Sequence, residues 1–200
     1  MPAIFPIVEG HGEVSAVPEI VRKISHERMN IFDCNVFKPY RMSRGKIVRF
    51  GEDLDKVIRY GEAKISSDGV DGGILILVDS DDDCPVVLQR EFMKFFRRGN
   101  YRVPVSFVLP KREYEAWFIS CVEHMRTHPS VRDDAISHPD PESLRDAKGF
   151  FSKDVLIDGV NYSETIDQVR YSSIINVECV FERCRSFQKF CNEVGRILAP

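Results

Sequence analysis

Four aspartates in five positions, Asp79, Asp81, Asp82 and Asp83, follow directly on the apolar run Ile74-Leu-Ile-Leu-Val78. Like charges packed this closely raise the energy of a folded state unless a cation or a basic partner offsets them. Oxygen-only ligands at such density suit a hard ion, Mg2+ or Mn2+, although the same residues would also serve as a solvated acidic loop. Asp79 and Asp81 lie two apart, so in extended backbone both side chains leave on one side. A second acidic group, Glu9-Gly10-His11-Gly12-Glu13, stands near the N-terminus. Between the two lies Lys38-Pro-Tyr-Arg-Met-Ser-Arg-Gly-Lys-Ile-Val-Arg49, which carries no carboxylate. Lys38, Arg41, Arg44 and Lys46, interleaved with Tyr40 and Ser43, are donors that phosphate oxygens attract, and they also read as a solvated basic face. Lys111 and Arg112 repeat the pairing of base with acid ahead of Glu113 and Glu115. Acids that hold metal ions beside cations that hold phosphates are the parts of an in-line phosphodiester displacement.

These groups need elements that bring them together. Ile74 to Val78 shows no polar alternation and therefore reads as a strand buried on both faces of a parallel sheet, whose carboxyl end is where open α/β sheets place ligands. Ala3 to Val8 is a second such run. It is broken only by Pro6, a residue expected at a strand start or on an edge, and it enters a two-glycine turn and then a helix over Val14 to Glu27, with Pro18 expected in the first turn. Asp33 to Tyr40 is a weaker strand, and Leu54 begins a helix that ends near Ser67. Pro85 to Arg98 reads as a helix with Val86, Val87, Phe92, Phe95 and Phe96 inward, and Val103 to Leu109 as a further strand. This alternation predicts an α/β domain over 1–125, with a mostly parallel sheet and helices on both faces. Residues 126–200 read as a loop and a helical extension packed on it, with Phe181, Phe187, Phe190 and Val194 turned inward. Neighbouring strands lie about 4.8 Å apart, so Glu9 could meet Asp79 and Asp81 at one rim.

Composition narrows the partners. A net charge of -3 excludes binding of nucleic acid by bulk positive charge and requires a local basic surface. The six cysteines form no Cys-x-x-Cys pair and are expected as reduced thiols. The first residues lack a basic leader, and no apolar run approaches the roughly 18 residues of a membrane span, so a cytoplasmic protein with no membrane partner is expected.

Two sets of motifs then resemble a known family. Glu9-Gly10 at the end of a first strand, with Asp79-Ser-Asp81 at the end of a later buried one, is similar to the TOPRIM domain of topoisomerases, bacterial primases and overcoming-lysogenization-defect nucleases. Val8-Glu-Gly-His-Gly-Glu13, Leu77-Val-Asp-Ser-Asp81, Glu113-Tyr-Glu-Ala-Trp-Phe118, Asp146-Ala-Lys-Gly149 and Arg185-Ser-Phe187 resemble a group of small TOPRIM-like proteins of unknown function. The resemblance implies a Rossmann-like TOPRIM fold and a Mg2+- or Mn2+-dependent nuclease acting on DNA or RNA, with a separate ATPase as a partner. It implies Glu9, Glu13 and Glu115 as catalytic acids and Glu9, Asp79 and Asp81, with Asp83 beside them, as metal ligands. Lys38, Arg41, Arg44, Lys46, Lys111 and Arg112 would contact nucleic acid. No tyrosine is placed as a topoisomerase nucleophile, which leaves nuclease chemistry or a non-catalytic regulatory or nucleic-acid-binding module. A sugar-nucleotide transferase would also use Asp-x-Asp, but it has no role for the Glu9-Gly10 turn.

Overall fold

A computed structural model describes residues 1–199. Through Val108 the chain alternates strand and helix: β1 (Ala3–Val8), α1 (Glu13–Met29), β2 (Asn35–Val36), β3 (Tyr40–Arg41), α2 (Arg44–Ile47), α3 (Glu52–Ser67), β4 (Gly72–Leu77), α4 (Pro85–Gly99) and β5 (Val105–Val108). It continues through α5 (Ala116–Ile119), α6 (Ala147–Phe150), α7 (Glu164–Ile174), α8 (Val177–Arg183) and α9 (Arg185–Leu198).

The strands run in the order β2, β1, β4, β5, and every pairing among them is parallel. β2 and β3 share one edge of β1, pairing Ala3 and Ile4 with Asn35 and Val36, then Ile7 and Val8 with Tyr40 and Arg41. The strand expected over Asp33 to Tyr40 is thus two short pieces. Pro39, which has no N–H to give a ladder, lies between them.

Both faces of the sheet are covered, which is why its strands show no polar alternation. Phe5, Ile7, Ile74, Ile76 and Val78 pack with Leu54 and Ile58 of α3 and Phe92 of α4. Their neighbours Ile4, Val8, Leu75 and Leu77 face the other way, into a core with Val17, Ile20 and Ile24 of α1. Trp117 of α5, Tyr171 of α7 and Phe187 and Phe190 of α9 complete that core. Each fully buried side chain of this size contributes about 1.5–3 kcal/mol of transfer free energy. The helices after residue 125 therefore share one apolar interior with α1 and the sheet.

Five expectations are corrected. Pro6 lies inside β1, a strand paired on both sides, and is accommodated because it falls in the gap between the β2 and β3 pairings, where no ladder bond is asked of it. Val86 and Val87 are 65% and 50% exposed, because the buried stripe of α4 runs through Leu88, Phe92 and Phe95 to Phe96 and leaves both valines off it. Helix α1 begins at Glu13, so Pro18 falls in its second turn, where its missing N–H removes a helical bond. β4 is continuous with Val78, but the strand itself ends at Leu77. Cys121 and Cys179 form a disulfide across 58 residues, while Cys34, Cys84, Cys184 and Cys191 are free. That pairing depends on the packing of the turn after α5 against α8, which sequence spacing does not carry. Among the described residues, no helix is long and apolar enough to cross a membrane.

Candidate active site

Val8 of β1 is the parallel partner of Leu77 of β4, so Glu9 and Asp79 leave the sheet at the same carboxyl rim. The strand order reverses here: β2 lies on one side of β1 and the later strands on the other. Open α/β sheets bind ligands in the crevice outside such a switch point, since the connections diverge to opposite faces. The crevice holds a cavity of about 120 Å3 lined by Glu9, Gly10, Glu13, Asp79, Asp81, Lys148, Glu164 and Gln168. Five carboxylates thus face one ammonium.

Glu13, at the start of α1, turns its carboxylate back to the strand–helix turn. Its Oε2 accepts the backbone N–H of Glu9 at 2.8 Å and that of Gly10 at 3.0 Å. This fixes the direction in which Glu9 leaves β1. Burial pushes the Glu13 carboxyl up to about 7, against the two N–H donors and reinforced by the charges of Glu9 and Glu115. Glu9 is half-buried, and its pKa is raised by burial and by Asp81, with Arg44 and Lys148 pulling the other way.

Asp79 lies just beyond the end of β4. Its Oδ1 is buried without a hydrogen-bond partner. Desolvation, followed by the charges of Glu13 and Glu115, holds its carboxyl well above the usual range. Asp81 adopts a left-handed backbone (φ 49°), a conformation that aspartate tolerates better than most residues. Its N–H donates to the Arg112 carbonyl at 3.1 Å, and the Arg112 N–H donates to Ser80 Oγ at 2.8 Å. Arg112 is also left-handed (φ 68°), which costs on the order of 1–2 kcal/mol outside glycine, asparagine and aspartate. The two turns at the ends of β4 and β5 are therefore stitched to one another.

Arg44 clamps the acidic turn from α2. It donates to the carbonyls of Asp79 (3.2 Å) and Ser80 (3.1 Å) and pairs with Asp81 (3.0 Å) and Asp83 (2.5 Å). Asp83 is turned to this arginine and away from the cavity lining.

Glu115 lies behind the cavity and is fully buried. Its Oε1 accepts from Tyr162 Oη at 2.7 Å and Gln168 Nε2 at 3.3 Å, while Oε2 has no partner. Burial pushes this carboxyl to about 7, opposed first by Lys148. Lys148 is paired with Glu164. Its pKa is raised although burial acts to lower it, because Glu115, Glu164 and Asp79 surround it. Glu113 reaches the base of the same helix, accepting the Lys148 backbone N–H at 3.1 Å.

The structure therefore gathers Glu9, Glu13, Asp79 and Asp81 around one cavity with Glu115 behind them. The cations disperse. Lys38 faces a separate pocket with Tyr40 and Tyr60. Lys46 stands 3.6 Å from Asp53, and Arg112 pairs with Asp82 at 2.8 Å. Arg41 and Lys111 are exposed. Lys148, Glu164 and Gln168 were not picked out as site residues. Only the Asp146-Ala-Lys-Gly149 motif pointed at Lys148, whereas nothing near Glu164 marks it in the sequence.

The donor set suits a hard cation by chemistry, with five carboxylates at one rim and a bare Asp79 oxygen. As the side chains stand, no three His, Cys, Asp or Glu groups among the described residues converge closely enough to hold an ion. Lys148 is the cation that lines the cavity, and Arg44 offsets Asp81 from outside it. Across residues 8–195 the chain matches a family model described as a domain of unknown function, DUF4276. No curated protein and no solved structure matches it.

Proposed function

This chain belongs to the DUF4276 family, and from that premise we propose that it is a Mg2+- or Mn2+-dependent nuclease with a TOPRIM-like site on a Rossmann-like sheet. One observation carries the reading. Glu9 and Asp79, 70 residues apart, follow the paired ends Val8 and Leu77 of adjacent parallel strands by one and two residues and line one cavity at the topological switch point. Glu9, Asp79 and Asp81 would hold the ion once their side chains turn toward one another, with Asp81 released from Arg44. A divalent ion there supplies Lewis acidity toward a phosphodiester and makes water more acidic.

The protein's own groups do the rest. The pKa of Glu9 is raised by burial and by the neighbouring Asp81, which eases proton uptake by its carboxylate. Glu13 is a positioning residue that fixes the Glu9 backbone. Arg44 holds the acidic turn in shape and is already saturated by its partners. The exposed Arg41 and Lys111 remain for phosphate contacts. The family resemblance adds a separate ATPase as the partner that would deliver substrate.

Lys148 favours a second reading. An ammonium that already offsets the acids suits a non-catalytic TOPRIM-like module that binds nucleic acid without turnover. Incubation of plasmid DNA and of a structured RNA with Mg2+ or Mn2+ separates the two, with Asp79→Ala/Asp81→Ala as control. Cleavage by the wild type alone supports the nuclease. Equal cleavage by both proteins assigns it to a contaminant, and binding without any cleavage favours the module.

A further inference from the structure

We infer that the pocket at the β3 edge is a single-strand subsite, where bases stack on Tyr40 or Tyr60 and phosphates lie on Lys38 and Lys64. It deepens the nucleic-acid reading above and rests on it for the class of ligand.

Phe5, Phe37, Lys38, Pro39, Tyr40, Tyr60 and Lys64 line an open pocket of about 330 Å3, a lining that contains two cations and no carboxylate. In a chain of net charge -3 with acids at the adjoining rim, such a composition is a local anion-attracting surface. The lysines are not spent on ion pairs, since neither Lys38 nor Lys64 has a carboxylate partner within 4 Å among the described residues. Lys64 Nζ instead lies 5.9 Å over the Tyr60 ring.

The tyrosines divide in the same way. Of six in the chain, Tyr101, Tyr114, Tyr162 and Tyr171 have hydroxyls bonded to Asp55, Ser172, Glu115 and Ser130. The other two are the exposed pair, Tyr40 at 42% and Tyr60 at 48%, with ring centroids 6.3 Å apart and planes at 60°. Phe5 backs Tyr60 at 5.7 Å from inside the sheet. Exposed rings held by such backing lose little freedom when a base stacks on them, and stacking of this kind tolerates any base.

Position ties the pocket to the acids. Tyr40 is the parallel partner of Ile7, two residues before Glu9 on β1, and Arg41 is the partner of Val8. A strand stacked on Tyr40 can therefore run past the exposed Arg41 toward the carboxylate rim. Paired bases in a duplex do not expose their faces in this way, so the chemistry selects unpaired strands.

The test is fluorescence anisotropy in EDTA, with labelled oligo(dT), oligo(U) and a DNA duplex of equal length as probes. Tyr40→Ala/Tyr60→Ala, whose changes lie on the surface, is expected to weaken binding of the single strands roughly tenfold, as loss of one stacked base does. Lys38→Gln/Lys64→Gln is expected to weaken it and to flatten its salt dependence. Tighter binding of oligo(U) or of oligo(dT) assigns the strand as RNA or DNA. The inference is overturned if either strand binds the double-tyrosine variant as tightly as wild type, if the duplex binds as well as the strands, or if no probe binds. Cleavage is scored separately with metal present, so its absence beside tyrosine-dependent binding would end the nuclease reading and leave this subsite standing.

Discussion

The carboxylate of Glu13 accepts the backbone N–H of Glu9 at 2.8 Å, so one acid of the cavity fixes where another leaves the sheet. Replacing it separates two effects. Glu13→Gln keeps an acceptor for the turn and removes a buried charge, so at pH 8 and without metal it should melt at or above the wild-type temperature. Glu13→Ala strips the Glu9 and Gly10 N–H groups of their acceptor and should cost about 1–3 kcal/mol at pH 5, where the charge no longer matters. Thermal unfolding of both variants at the two pH values checks this.

The metal-free protein should lose stability as pH rises. Glu13 and Glu115 have folded-state pKa values of about 7, above the unfolded carboxylate range, and Asp79 is shifted the same way. Between roughly pH 4.5 and 7 the folded state therefore binds more protons than the unfolded state, which gives ΔG of unfolding a negative slope with pH. The carboxylates whose pKa is lowered, such as Glu123 and Glu193, act below that window. Urea denaturation in EDTA from pH 5 to 8 should show a decline of a few kcal/mol, since one pKa unit is about 1.4 kcal/mol. A flat or rising profile would contradict the charge cluster.

Lys148 should matter more at high pH than at low. It stands amid Asp79, Glu115 and Glu164, and without it these acids face only one another. Its side chain is 38% exposed, so the loss on Lys148→Gln should be about 1–3 kcal/mol at pH 8, below the full cost of breaking a buried pair. At pH 5 the loss should shrink, and the pH slope of the variant should be steeper than that of wild type.

Gly12 tests how α7 reaches the cavity. A Cβ there would stand 2.3 Å from the Glu164 carbonyl oxygen and 2.5 Å from Gln168 Oε1, so α1 and α7 can approach only at a residue without a side chain. Gly12→Ala should destabilise the protein by about 1–3 kcal/mol through overpacking. Because it moves Glu164 and Gln168, it should also change any metal affinity. Chemical denaturation and a metal titration read the two effects.

The sheet was legible because both of its faces are buried. Ile74 to Val78 and, apart from Pro6, Ala3 to Val8 read as strands from their apolar character without polar alternation, and strand–helix alternation left few topologies to consider. Glu9, Glu13, Asp79 and Asp81 could be picked out because each lies within five residues of a strand end. Lys148, Glu164 and Gln168 reach the same cavity through tertiary packing of α6 and α7, and no periodicity encodes that. Similarly, the cationic segment reads as one surface in sequence, but folding sends Arg44 to the acidic turn, Lys46 toward Asp53 and Lys38 to the tyrosine pocket.

A calorimetric titration of Mn2+ at pH 7.5 into wild type and Asp79→Asn tests the central claim most directly. The expected result is a saturable site in the wild type that is lost in the variant, with both proteins folded by circular dichroism. Equal binding by the two, or no binding by either, would contradict a metal site at the rim shared by Glu9 and Asp79.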